Sequence, residues 1–66
     1  MSVGKHIEIT SDSPVSFEEA IKDGIKKASE TVHGICSAWV KDQQVVVEGG
    51  VVTAFRVNMK VTFLLK

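Results

Sequence analysis

Two β-rich runs, 35–47 and 51–65, meet at Glu48-Gly49-Gly50, and this junction constrains the fold more than any other feature of the sequence. Both runs are dense in Val, Phe and Thr, and the two glycines tolerate the positive φ angles of a tight reversal, so the segment reads as an antiparallel hairpin. With Gly49 and Gly50 as the turn, Glu48 faces Val51. The same register sets Cys36 opposite Phe63, Ala38 opposite Val61 and Val40 opposite Met59 on an apolar face. Ser37 then lies beside Thr62, Trp39 beside Lys60, Lys41 beside Asn58 and Gln43 beside Arg56 on the other face. A one-residue slip would exchange the two faces, so their agreement supports the register.

Ahead of the hairpin, Lys5 to Thr10 alternates in the manner of a half-buried strand, with Ile7 and Ile9 on one side. The turn formers Ser11, Asp12, Ser13 and Pro14 end it. Ser16 and Glu19 have the spacing of a capping box, and Glu18 and Glu19 place negative charge where the helix dipole favours it. Phe17, Ile21, Ile25, Ala28 and Val32, with Ala20 and Gly24 between them, form an apolar stripe, so a helix is expected from Phe17 to His33 with Gly34 as its C′ residue. Glu18 with Lys22, Asp23 with Lys27 and Lys26 with Glu30 line its solvent face. The order β-α-β-β and the single helical stripe predict an α+β unit of two layers, a three-stranded antiparallel sheet under one helix, with the first strand on the free edge of the last.

A helix of 17 residues would be about 25 Å long and too short to shield such strands. Val45, Val47, Val52, Leu64 and Leu65 are left over, and they are expected to pack against other copies of the chain. The chain has 66 residues, enough for one domain, 1–66, and too few for a large core. Its one cysteine, Cys36, cannot form an internal bridge, and with two histidines it cannot close a zinc site. Self-association is the remaining source of stability.

Lys and Arg number 8 and Asp and Glu number 8, a balance that argues against nucleic acid or anionic lipid as partners. The sequence has no apolar run of signal-peptide character or of membrane-spanning length, which leads to the expectation of a soluble, cytoplasmic protein.

No catalytic signature is present. Nucleophile elbow, P-loop, zinc-protease and dinucleotide-binding patterns are all missing, and Gly49-Gly50 precedes a strand where a phosphate cradle would precede a helix. The chain is therefore read as a non-enzyme. His6 and His33 are read as surface or subunit-contact residues, and Cys36 as a small core residue. Asp42, Gln44 and Glu48 offer oxygens to a hard cation but lack a calcium-loop spacing. Trp39 stands out as the one tryptophan, placed on the polar sheet face with Lys60, Ser37 and Arg56 as expected neighbours. It suits a planar anionic ligand stacked on the indole, or a partner subunit that buries it.

Ser16-Phe17-Glu18-Glu19-Ala20, Ala28-Ser29-Glu30-Thr31-Val32, Ala38-Trp39-Val40, Phe55-Arg56-Val57 and Lys60-Val61-Thr62-Phe63, in this order and spacing, resemble the dodecin family over essentially the whole chain. The resemblance implies a hollow homododecamer in which each three-stranded sheet wraps around its helix. It also implies storage of flavin, riboflavin or FMN, at subunit junctions, and in some bacterial members binding of coenzyme A. By alignment, the family's stacking tryptophan corresponds to Ser37 and its flavin-bonding glutamine to Arg56, changes expected to weaken flavin at least tenfold. Trp39 lies two residues on and on the same face as Ser37, so stacking moves with it, and the ligand-binding set read from the resemblance is Ser37, Trp39 and Arg56. The alternative is a flavin-free structural or ion-binding shell, since Arg56 resembles the residue of members that lack flavin, some of them calcium-binding.

Overall fold

The computed structural model of the protein describes residues 3–65; Met1, Ser2 and Lys66, part of the 1–66 unit expected from the sequence, lie outside the described residues. Strand β1 spans Gly4–Ser13, helix α1 Phe17–Ser29, strand β2 Ile35–Glu48 and strand β3 Val51–Leu64. One antiparallel sheet results, in the order β1-β3-β2. This is the β-α-β-β arrangement read from the sequence.

Strand β1 runs past the expected Thr10 because Ser11, Asp12 and Ser13 continue the ladder opposite Val57, Arg56 and Phe55. The Ser13 hydroxyl then gathers the turn, accepting from the amides of Val15 at 3.0 Å and Ser16 at 3.4 Å. The Ser16 hydroxyl caps the helix by accepting from the Glu19 amide at 3.0 Å. Only that half of the capping box forms, since the Ser16 amide is taken by Ser13.

The helix stops at Ser29, four residues short of the expected His33. Its end is tightened by Glu30 N–H to Lys27 O and Thr31 N–H to Ala28 O, both 3.2 Å. The Ser29 hydroxyl donates to Lys26 O and the Thr31 hydroxyl to Ala28 O. Such side-chain bonds compete with the helical ladder, and β-branched Thr31 and Val32 favour it weakly. Gly34 does have a positive φ, +82°, but it launches β2 instead of capping α1, its carbonyl accepting from the Leu64 amide at 3.0 Å. Lys22 pairs with Glu18 at 2.9 Å as expected, whereas Lys27 turns to Glu30 at 3.5 Å and not to Asp23.

The core lies between α1 and the β1–β3 half of the sheet. Ala20, Val57, Met59 and Val61 are fully buried, with Ile7, Ile9, Phe17, Ile21, Ile25 and Ile35 packed around them. Phe17 meets Phe55 edge to face, with centroids 5.1 Å apart.

The hairpin register is as expected next to the turn and again from Ser37 to Val40, and is shifted by one residue between these stretches and at the Ile35 end. Glu48 faces Val51 and Val47 faces Val52, and Ser37 through Val40 face Thr62 through Met59 as expected. Between them, Asp42 and not Lys41 faces Asn58, and Gln44 and not Gln43 faces Arg56. Two bulges cause this: Thr53 is the extra residue on β3 and Lys41 the extra residue on β2, so the second shift cancels the first. A third, at Cys36, sets Ile35 and not Cys36 opposite Phe63. Cys36 is accordingly exposed, not a core residue, and its thiol lies 3.6 Å from Thr62 O.

Candidate functional site

The face of the sheet turned away from α1 carries the polar side chains, and its register stacks them in rows across β1, β3 and β2. Glu8, Lys60 and Trp39 share one row, Thr10, Asn58 and Asp42 the next, and Asp12, Arg56 and Gln44 the third. Along β1 and β3 this follows from the two-residue period of the strands, and on β2 the bulge at Lys41 brings Asp42 and Gln44 onto the face of Trp39.

Trp39 is 69% exposed, and the Lys60 ammonium stands 5.9 Å from the centre of its ring. Ser37, opposite Thr62, is the next residue of β2 on this face and is exposed as well. Arg56 is also on this face but not beside Trp39. It lies four residues along β3 from Lys60, about 13 Å at 3.3 Å per residue. Its guanidinium clasps Asp12 through Nε to Oδ1 at 2.8 Å and Nη2 to Oδ2 at 3.0 Å. That fork holds the Asp12 carboxyl below its usual pKa and raises that of Arg56.

Between the two lies a row of short hydrogen bonds. The Thr10 hydroxyl donates to Asn58 Oδ1 at 2.7 Å, and Asn58 Nδ2 donates to Asp42 Oδ1 at 2.5 Å. Lys41, two residues beyond Trp39 on β2, reaches across β3 to Glu8 Oε1 at 2.5 Å. The bond lowers the pKa of Glu8 and raises that of Lys41, so both are charged at neutral pH. Glu8, Thr10, Lys41, Asp42 and Asn58 rim a shallow open depression. The sequence signal for this network was the pairing of charge and amide along β1 with β3, where Glu8, Thr10 and Asp12 meet Lys60, Asn58 and Arg56.

The remaining candidates do not converge. His6 faces Thr62 and is exposed, and His33 is exposed between α1 and β2. Glu48 is six residues along β2 from Asp42, about 20 Å. Among the described residues no group of three His, Cys, Asp or Glu is placed to hold a metal ion. Also among them, no helix is long and apolar enough to cross a membrane.

Fold and site together define a small α+β protein whose sheet wraps one helix and offers an exposed aromatic ring beside a cation on its outer face. The Dodecin family model matches residues 3–66, and the chain belongs to that family. It is 32% identical to the calcium dodecin of Mycobacterium tuberculosis over 66 residues, which is all of this chain and 93% of that protein. A dodecin from Streptomyces davaonensis superposes with a TM-score of 0.94 at 29% identity, covering 98% of this chain and 96% of its own. The crystal structure of the calcium-chelating Mycobacterium tuberculosis calcium dodecin superposes with a TM-score of 0.86 at 31% identity, covering 98% and 93%.

Proposed function

We propose that the protein is a non-enzymatic, cytoplasmic homododecamer that binds and sequesters a small planar ligand, a flavin such as riboflavin or FMN, against Trp39. The observation that carries this reading is the exposure of Trp39, 69% in the protomer, with a lysine ammonium beside its ring. A tryptophan serving only the fold would sit in the core, whereas this one presents its ring to whatever approaches the sheet. Ser37, two residues away on the same face, is small and exposed. Arg56 lies on the same face and borders the site from beyond the Asn58 row, its orientation fixed by Asp12. Stacking on an indole contributes about 0.5 to 1.5 kcal/mol beyond area burial. A pocket completed by a neighbouring copy would supply the rest, since an open sheet face encloses little by itself.

Riboflavin titrated into the purified assembly should quench both its own fluorescence and that of Trp39, and Trp39→Ala should abolish the effect. No quenching at tens of micromolar would remove flavin from the reading. The second reading, a flavin-free ion-binding shell in which Trp39 seals subunits, draws support from the 32% identical calcium dodecin. Within one protomer the Asp42 carboxylate already bonds Asn58, and among the described residues no group of three His, Cys, Asp or Glu is placed to hold an ion. Calcium retention by the same preparation, unchanged by Trp39→Ala, would favour that second reading.

A further inference from the structure

Among the described residues the sheet's outer face carries three Lys or Arg side chains, and they are not equivalent. Arg56 is neutralised by Asp12 through two hydrogen bonds. Lys41 is neutralised by Glu8. Lys60 faces Glu8 across one side of the ladder and Trp39 across the other, yet Glu8 directs its oxygen to Lys41. Among the described residues Lys60 forms no ion pair, and its ammonium rests 5.9 Å from the indole centre. The remaining acid nearby, Asp42, lies in the next row and accepts from Asn58. Among the described residues Lys60 is therefore the cation of this face that makes no direct ion pair; Glu8 only feels its charge, and the Lys60 ammonium lies over the indole ring.

We propose that Lys60 makes the Trp39 platform selective for planar ligands that carry a phosphate or comparable anion, over neutral ligands with the same ring. This rests on the reading of Trp39 as the stacking residue. A ring laid on the indole brings its substituents to the height of the ammonium, which exchanges a weak contact with the π face for a charge-assisted hydrogen bond. Arg56 does not compete for that anion, because it is forked onto Asp12 and about 13 Å away along β3. Lys60 is thus the specificity-determining residue, and Arg56 is not.

FMN and riboflavin share one ring system and differ in the phosphate, so their affinity ratio isolates this effect. Both are titrated by fluorescence quenching against the wild type, Lys60→Gln, Lys60→Arg and Arg56→Gln, with particle size checked by sedimentation. The wild type should prefer FMN about fivefold at low salt, the range expected of one exposed charge contact. Lys60→Gln should bring the two ligands together by weakening FMN more than riboflavin. Lys60→Arg should keep the preference, and so should Arg56→Gln. The wild type alone gives a second check that needs no variant, since the preference should shrink at 1 M salt, where screening acts within about 3 Å. Equal binding of both ligands with Trp39 quenched would overturn the role of Lys60 and leave the platform standing. Loss of the preference in Arg56→Gln but not in Lys60→Gln would overturn it too. Quenching by neither ligand would overturn the platform and this role together.

Discussion

Gly24 shows how closely the helix is fitted to the sheet. A Cβ built there would stand 2.8 Å from Ser11 Cβ and 2.9 Å from Met59 Cε. The methionine end can swing away, but Ser11 Cβ is fixed to the β1 backbone, so the helix would have to lift. Alanine gains about 1 kcal/mol over glycine in helix propensity, while overpacking a tight contact loses about 1 to 3 kcal/mol. The second effect should win here because the clash is with backbone-anchored atoms. Gly24→Ala is expected to destabilise the protein by about 1 kcal/mol, lowering the melting temperature by roughly 4 to 8 °C for a chain of this size. Ser11→Gly in the same background should recover most of the loss. A Gly24→Ala variant at least as stable as the wild type in thermal denaturation would show that the helix floats over β1.

At the scale of the elements, the hairpin marks where the sequence was legible and where it was not. Gly49-Gly50, with φ angles of +58° and +79°, fixes the turn, and the pairs nearest to it and those from Ser37 to Val40 follow from counting outward. The middle pairs escaped because two bulges on opposite strands compensate, so the pairs on either side of them, Val47 with Val52 and Val40 with Met59, agree with an unbroken ladder. The signal was present as a change of phase. Ala38 and Val40 have even numbers and Val45 and Val47 odd ones, so the inward set of β2 must skip a residue between them; Val52 and Phe55 require the same of β3. The helix end escaped for another reason, since Ala28 and Val32 continue the apolar period while hydroxyl bonds from Ser29 and Thr31 close the last turn. Part of the site depended on the bulge: Asp42 shares the outer face and reaches Asn58 because Lys41 is the extra residue. The two-bulge account is testable by deletion. Lys41 and Thr53 are each unpaired, so removing either alone should leave the other pairs in place and the protein folded. Removing Asn58, which is paired to both neighbouring strands, should shift the rest of β3 against them and sharply reduce folded yield, as read by chemical denaturation. Equal damage from removing Lys41 and from removing Asn58 would contradict the bulge at Lys41.

At the scale of the molecule, the protomer is too extended to be finished. Its extents are 50 × 20 × 14 Å and its radius of gyration is 13.4 Å, where a compact chain of this length would have about 11 Å. The 13-residue helix reaches about 20 Å, against about 46 Å for a 14-residue strand, and it packs on β1 and β3. The helix-side face of β2 is left largely bare: Val40 is 37% exposed, Val45 41% and Val47 54%. Val51, Val52, Leu64 and Leu65 are exposed as well, so most of the residues left over in the sequence are left over in the fold. Burying apolar area is worth about 25 cal/mol per Å², and an uncovered row of valines along an unpaired edge strand is a surface that solvated monomers seldom keep. Other copies are the natural cover. Val45→Lys should leave the protomer fold intact, because that side chain has little to lose within one chain, and yet shift sedimentation toward smaller species in a dilution-dependent manner. Circular dichroism would separate loss of assembly from loss of fold. A Val45→Lys protein with unaltered particle size would mean that the bare face of β2 stays in water, and an assembly, if formed, would have to be built from other surfaces.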